Sequence, residues 1–475
     1  MLRRPLLVAP FAIVAVLLMS EAALAGPPTS STDFTNKRAN ESVARTALVA
    51  NLEESANAIA ELRSMGPEGL RVFLEANNPE IEAAVKSRAG AGKEGNENLG
   101  AKGSIAAGTR KATASSSQGN QVLSALDSIC RQKDCYASRL YWYTDLEQAR
   151  AAARAQRKPI LSLRLLGRLD EDLSCANSRL FRITLYANEQ VSTLLRERFI
   201  LHWQSVRAVP KITIDFGDGR TMERTLTGNS IHYVLDSEGR LIDALPGMYG
   251  PGAFTRELVR STSVASDLAL FQTDEERLTA LRRYHETRLN ELETEWLSDL
   301  KRAGLTLAPS REIPRPGGAG STPPSAQRAA AATVAKAVMV ERPVLRGMSD
   351  SPKSLDSIGS DAGWLTIAGL HAEDAALDQA TRALMSFKDP ALRGASLQGA
   401  VTALERAIAE DTVRNDYVFR ARIHRWLASG AVSSDVASLN EKIYAELFLT
   451  PSWDAWLGLR PAGSYSGIDN DGVRR

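Results

Sequence analysis

The sequence predicts an α/β central domain flanked by all-α segments and disordered linkers. Three observations carry that expectation. Residues 121–265 alternate short apolar runs of strand length with Ala- and Leu-rich stretches of helical period. The outer segments, 26–88 and 361–462, show only the helical spacing. Residues 89–120 and 305–360 carry much Gly, Ala, Ser and Pro and little apolar bulk. The chain has 475 residues, enough for two or three domains with cores of their own. With 58 Lys+Arg against 56 Asp+Glu it is almost neutral, which argues against nucleic acid or anionic lipid as a general partner.

The first 25 residues read as an address. Arg3 and Arg4 precede an apolar run over 6–19, and Ala23-Leu24-Ala25 follows. This order is that of a secretory signal cleaved after Ala25. A membrane anchor is the competing reading. The run is about 14 residues long, interrupted by Pro10, against roughly 20 needed to span. Export to a periplasmic or extracellular space is therefore expected, with no stable membrane insertion after cleavage and with disulfides permitted.

Leu48, Leu52, Ala56, Ile59 and Leu62 share one face of a helix, which Gly66-Pro67 breaks before a second one carrying Leu70, Phe73 and Leu74. In the central unit, residues 138–144 read as a strand and 145–157 as a helix ended by Lys158-Pro159. Residues 160–166 read as a buried strand, and Ser174 as the cap of a helix starting near Cys175. Residues 199–206 form the next strand. Gly217-Asp218-Gly219 and Ser237-Glu238-Gly239 mark two hairpins, 211–226 and 231–245, and a helix starts at about Pro251. The predicted order is β-α-β-α-β-hairpin-β-β-α. Residues 267–303 read as one long polar helix with a narrow stripe (Leu278, Leu281, His285, Leu289, Leu292, Trp296, Leu300) suited to packing or coiled-coil pairing. Residues 463–475 read as a tail.

Three segments of the central unit resemble the secreted thioredoxin-like proteins. Trp142, Leu146 and Ala149 followed by Lys158-Pro159-Ile160 match the family's entry motif. Phe181, Val191, Leu194-Leu195 and Phe199-Ile200 match its helix and following strand. Gly228-Asn229-Ser230 through Leu235-Asp236-Ser237-Glu238-Gly239-Arg240 matches its "G-x-P…L-D-x-x-G-K". The resemblance implies a thioredoxin-like fold over residues 121–265. It departs from the redox-active pattern twice. The family's Cys-x-x-Cys is here Cys175-Ala176-Asn177-Ser178, with one thiol, and the position of its cis-proline is held by Ser230.

Two readings of Cys175 stand side by side. One is a nucleophilic thiol at a helix start, with Ser178 as its polar neighbour; the other, which leads, is a small buried apolar residue. Asp170, Glu171 and Asp172 oppose thiolate formation, and Arg179 and Arg182 offset them. Cys130 and Cys135 are expected to form a local disulfide, the alternative being a bond from one of them to Cys175. His202 and His232, on strands that could be neighbours, could join Cys175 around a metal, but the spacing is not diagnostic and no metal is expected. Residues 215–219 read as a turn rather than a calcium loop. No phosphate loop, dinucleotide fingerprint or nucleophile elbow appears, so no cofactor is expected. Tyr141-Trp142-Tyr143 reads as packing, and Trp453 and Trp456 as a cap on the C-terminal helices or, less favoured, an exposed patch. The leading function is an exported protein-interaction module without dithiol reductase activity. The alternative is a monothiol exchange protein using Cys175.

Overall fold

The N-terminal segment follows its periodicity. The computed structural model describes residues 31–94, 108–313, 323–348, 362–431, 435–460 and 467–473. The expected leader, 1–25, lies outside them. Helices α1 (Ser31–Thr46), α2 (Leu52–Ser64) and α3 (Pro67–Glu94) follow one another. Asn51 caps α2 through its side-chain oxygen, and Gly66, at φ 69°, turns the chain into Pro67. Leu62, Leu70 and Phe73 are buried in one cluster with Val122, Leu126 and Ile129.

Those last three residues belong to α4 (Gly108–Cys130), which corrects the expected linker over 89–120. Its small residues permit close packing. A Cβ on Gly119 would sit 3.2 Å from the Cβ of Ala84 on α3, and Gln121 donates to the carbonyls of Leu48 and Val49, each at 3.0 Å. Residues 95–107 of that stretch lie outside the described residues.

The expected strand over 138–144 is also corrected. Residues 135–138 form one helical turn, α5 (Cys135–Ser138), and Arg139 takes φ 52°. The Trp142 amide then donates to the Cys130 carbonyl rather than to a ladder. Only Tyr143 bridges to a strand, exchanging bonds with Leu201 and Trp203 at 2.8 and 3.0 Å. Helix α6 (Leu146–Gln156) is capped by Asp145 and stops at Arg157, two residues before Pro159.

The central strands appear where the apolar runs put them: β1 (Ile160–Leu166), β2 (Ile200–Arg207), β5 (Ile231–Leu235) and β6 (Leu241–Pro246). They form one mixed sheet in the order β2-β1-β5-β6, with β1 and β2 parallel and the other two pairs antiparallel. Every residue of β1, β5 and β6 is buried, as a sheet covered on both faces requires. Helices α7 (Ala176–Thr184), α8 (Glu189–Arg198) and α9 (Pro251–Leu268) complete this unit. The inserted hairpin, β3 (Lys211–Asp215) with β4 (Thr221–Thr225), is a separate two-stranded sheet.

Helix α10 (Asp274–Arg302) begins seven residues later than expected, because Thr273 and Glu276 form a capping box and α9 runs on to Leu268. Within the second expected linker, residues 323–348 are folded. They form α11 (Ala326–Ala331), α12 (Val334–Lys336), a π turn (Ala337–Glu341) and α13 (Arg342–Met348). Ala326, Ala329, Ala330 and Ala335 are buried, so their small size reflects tight packing rather than lack of structure.

The C-terminal region is helical as predicted. Its longest element, Gly394–Arg414, continues through a π turn (Asn415–Arg420) into Ala421–Ser429. It does not own a separate core: Val401, Ile408, Ile423 and Tyr444 share one apolar cluster with β1, β5 and β6. The joint is ionic. Arg420, fully buried, reaches Asp243 of β6 at 2.8 Å and Glu257 of α9 at 2.6 Å, and Glu257 pairs with the buried Arg288 of α10 at 3.1 Å. Tyr284 donates to Asp243 at 2.6 Å. Burial alone would raise the Asp243 pKa, but Arg420, with His424 and His285, holds it well below the usual carboxylate range.

Replacing Arg420 leaves the buried Asp243 without its arginine and leaves Glu257 to Arg288 and Arg260. Arg420→Met is expected to lower unfolding stability by about 3–5 kcal/mol, whereas Arg425→Met, which removes an exposed pair with Glu293, should cost under about 1 kcal/mol. Urea titration followed by circular dichroism measures both; equal losses would contradict the account.

Candidate functional site

Two backbone turns bring Cys175 and Ser230 together. Cys175 is the N-cap of α7, and its amide donates to the carbonyl of Leu166 at the end of β1, 3.1 Å away. The Ser230 loop enters β5 from Gly228, whose φ is 89° and where an added Cβ would lie 2.9 Å from Leu166 Cδ2. The close approach leaves Cys175 Sγ 3.0 Å from Ser230 Oγ. Ser178, one turn into α7, lies 3.5 Å from the sulfur, and its hydroxyl is 2.8 Å from both Ser174 Oγ and the Cys175 carbonyl. Cys175, Ser178 and Ser230 are all fully buried. The structure therefore assembles the three residues singled out from the sequence. All described peptide bonds are trans, that before Ser230 included.

No second sulfur joins them. Cys130 and Cys135 are bonded to each other, and Cys175 is free. The charges near the thiol are engaged elsewhere. Asp170 pairs with Arg168 at 2.8 Å, and Asp172 lies 3.8–3.9 Å from Lys388 and Lys133. Arg179 donates to Thr225 Oγ1, and Arg182 donates to the carbonyls of Leu169 and Glu171. Burial lowers the pKa of both arginines.

The two strand histidines do not meet. His202 of β2 pairs in register with Ser162, whereas His232 of β5 pairs with Leu163, the next residue of β1. Successive strand residues face opposite ways, so the two imidazoles lie on opposite sides of the sheet. His202 Nδ1 is 2.9 Å from Ser162 Oγ, and His232 Nε2 is 2.7 Å from the Tyr186 hydroxyl. Desolvation pushes both down to about 3. Among the described residues, no group of three or more His, Cys, Asp or Glu side chains is arranged to hold a metal.

The residues that sequence reasoning missed come from 323–348 and the C-terminal helices. Asn229, beside Ser230, accepts from Asn177 at 3.1 Å and from the Thr333 hydroxyl at 2.8 Å through Oδ1. Its carbonyl accepts from Tyr444 at 2.8 Å. Lys336, fully buried, donates to the Gly228 carbonyl at 3.1 Å. The available signal was the placement of Asn177 and Asn229 within two residues of Cys175 and Ser230; nothing marked Thr333 or Lys336.

A second concavity, about 460 Å³, lies between α9, α10 and the C-terminal helices. There Asp299 holds His371 and Tyr417, each at 2.5 Å, and Asp374 holds Arg256. Its charges pair with one another, and His371 is engaged by Asp299. Trp142 is buried, in line with the packing role expected of its cluster, whereas Trp453 and Trp456 are 40% and 46% exposed, which corrects their expected role as a cap. No helix among the described residues is long and apolar enough to cross a membrane. In comparisons with protein-family models, curated proteins and solved structures, nothing matches the chain.

The buried neutral histidines give a signed pH effect. His202 falls from 6.5 unfolded to about 3 folded, so its contribution to stability is present above pH 6.5 and lost as pH falls toward 3. The stability advantage of wild type over His202→Gln is expected to shrink by up to about 1.4 kcal/mol per pH unit on acidification below 6.5. Urea midpoints at pH 7, 6 and 5 check this; a difference that stays constant would refute it.

Proposed function

We propose that residues 121–265 are a thioredoxin-like domain of an exported protein, and that it holds a protein partner in the extracytoplasmic space without ordinary dithiol reductase activity. One observation carries the second half of this reading: a single thiol, wholly buried, with the other two cysteines closed on each other. Dithiol exchange needs a resolving thiol to release the mixed disulfide, and none is at hand. The fold assignment is supported by the chain order of strands and helices around a four-stranded mixed sheet, together with the Cys175 and Ser230 loops meeting at 3.0 Å. Export is supported by the leader-like residues 1–25 and is compatible with the Cys130–Cys135 bond.

The experiment separates holding from exchange. Mature protein is assayed for insulin disulfide reduction, and partners are captured from the exported fraction with wild type and with Cys175→Ser. The expected result is no turnover above buffer and the same partner retained by both forms. Turnover, or a covalent adduct that disappears in Cys175→Ser, would replace this reading with monothiol exchange.

A further inference from the structure

Residues 323–348 close over the loops that carry Cys175 and Ser230. Thr333 donates to Asn229 and lies 3.5 Å from Asn177, and Lys336 binds the carbonyl of Gly228. The segment thereby touches α7 two residues past the thiol and the β5 loop one and two residues before Ser230. Its far side is held by Asp411, which accepts the amides of Val334 and Ala335 at the start of α12.

The seam differs in kind from the sheet beneath it. Asn177, Asn229, Thr333, Lys336 and Glu341 are fully buried polar groups facing one another across it. Among the described residues, Asn177 Oδ1, Asn229 Nδ2 and Thr227 Oγ1 have no hydrogen-bond partner. Glu341 forms a buried ion pair with Lys336, at 3.6 Å, within the segment itself. Polar atoms that give up water without a full replacement weaken an interface, and water would satisfy them once it opened. Beneath it, β1 is laddered on both sides and mostly apolar. The low-stability boundary therefore runs between the segment and the sheet domain rather than through the sheet.

We infer that residues 323–348 are an autoinhibitory strap. Its release, with the sheet intact, bares Cys175 and the polar cradle of Asn177, Gly228 and Asn229. A partner segment with a hydroxyl side chain and a cation three residues later, the spacing of Thr333 and Lys336, then takes its place. This rests on the reading of that face as a holding site.

The test uses the full mature chain. Cys175 is labelled with an aromatic disulfide reagent over a urea series, while amide exchange is followed by mass spectrometry. Expected are labelling that is independent of urea at low concentration, exchange of residues 334–346 at a matching rate, and β1 amides still protected. Thr333→Val should speed labelling about tenfold. Labelling and β1 exchange sharing one rate and one urea dependence would overturn the strap, and wild type alone decides this if Thr333→Val does not fold. Faster labelling without tighter retention of the partner captured above would show that the segment opens but would overturn its autoinhibitory role, while the insulin and capture assays above judge the holding reading separately.

Discussion

The guanidinium of Arg420 sets the architecture. A cation with no exposed surface is tolerated only where acids surround it, and here they come from different parts of the chain: Asp243 from the edge strand β6, Glu257 from α9, and Asp416 from its own helix. The partition of charge is uneven. Asp243 is held low, while burial pushes Asp416 up to about 6. Because the acids cannot be left behind, the C-terminal helices are bound to the sheet as part of one core. What reads along the chain as a central domain and a separate helical one shares, among the described residues, one apolar cluster that includes Leu140 and Leu457.

That fusion governs the chemistry of the thiol face. Helix Val436–Glu446, brought in with the C-terminal region, delivers Tyr444 to the Asn229 carbonyl, and helix Gly394–Arg414 offers Asp411 to the start of α12. The loop beside the thiol is thus held by a side chain 269 residues from Cys175 in sequence. The buried sulfur has hydroxyls rather than a second sulfur beside it.

Much of the sheet was legible. The runs at 160–166 and 231–235 are short, rich in Leu, Ile and Val and bounded by turn residues, and Gly217-Asp218-Gly219 announces its hairpin. The Cys-x-x-Ser at the start of α7 was legible locally, whereas its contact with Ser230, 55 residues on, was expected only from the family resemblance. The two misread linkers share one cause. The Gly/Ala/Ser content of 108–120 and of 326–335 looked like chain too poor in bulk to fold, yet Gly119 against Ala84 and the buried Ala329 and Ala330 need that smallness to come close to their neighbours. Residues 138–144 had strand-like side chains, but their amides were claimed by the disulfide-bonded loop. Lys336 and Glu341 gave no local sign of burial, because their partners lie in distant parts of the sequence.

The single bridge at Tyr143 has a further effect. Its amide and carbonyl occupy the outer side of β2 at Leu201 and Trp203, while the π turn Asn415–Arg420 lies along β6 at the opposite margin. Both borders of the sheet are thus approached by other parts of the chain, one through a pair of hydrogen bonds at Tyr143 and the other by a helical turn alongside β6. A stray strand from another molecule meets an interrupted margin on each side, which works against edge-to-edge pairing of crowded copies.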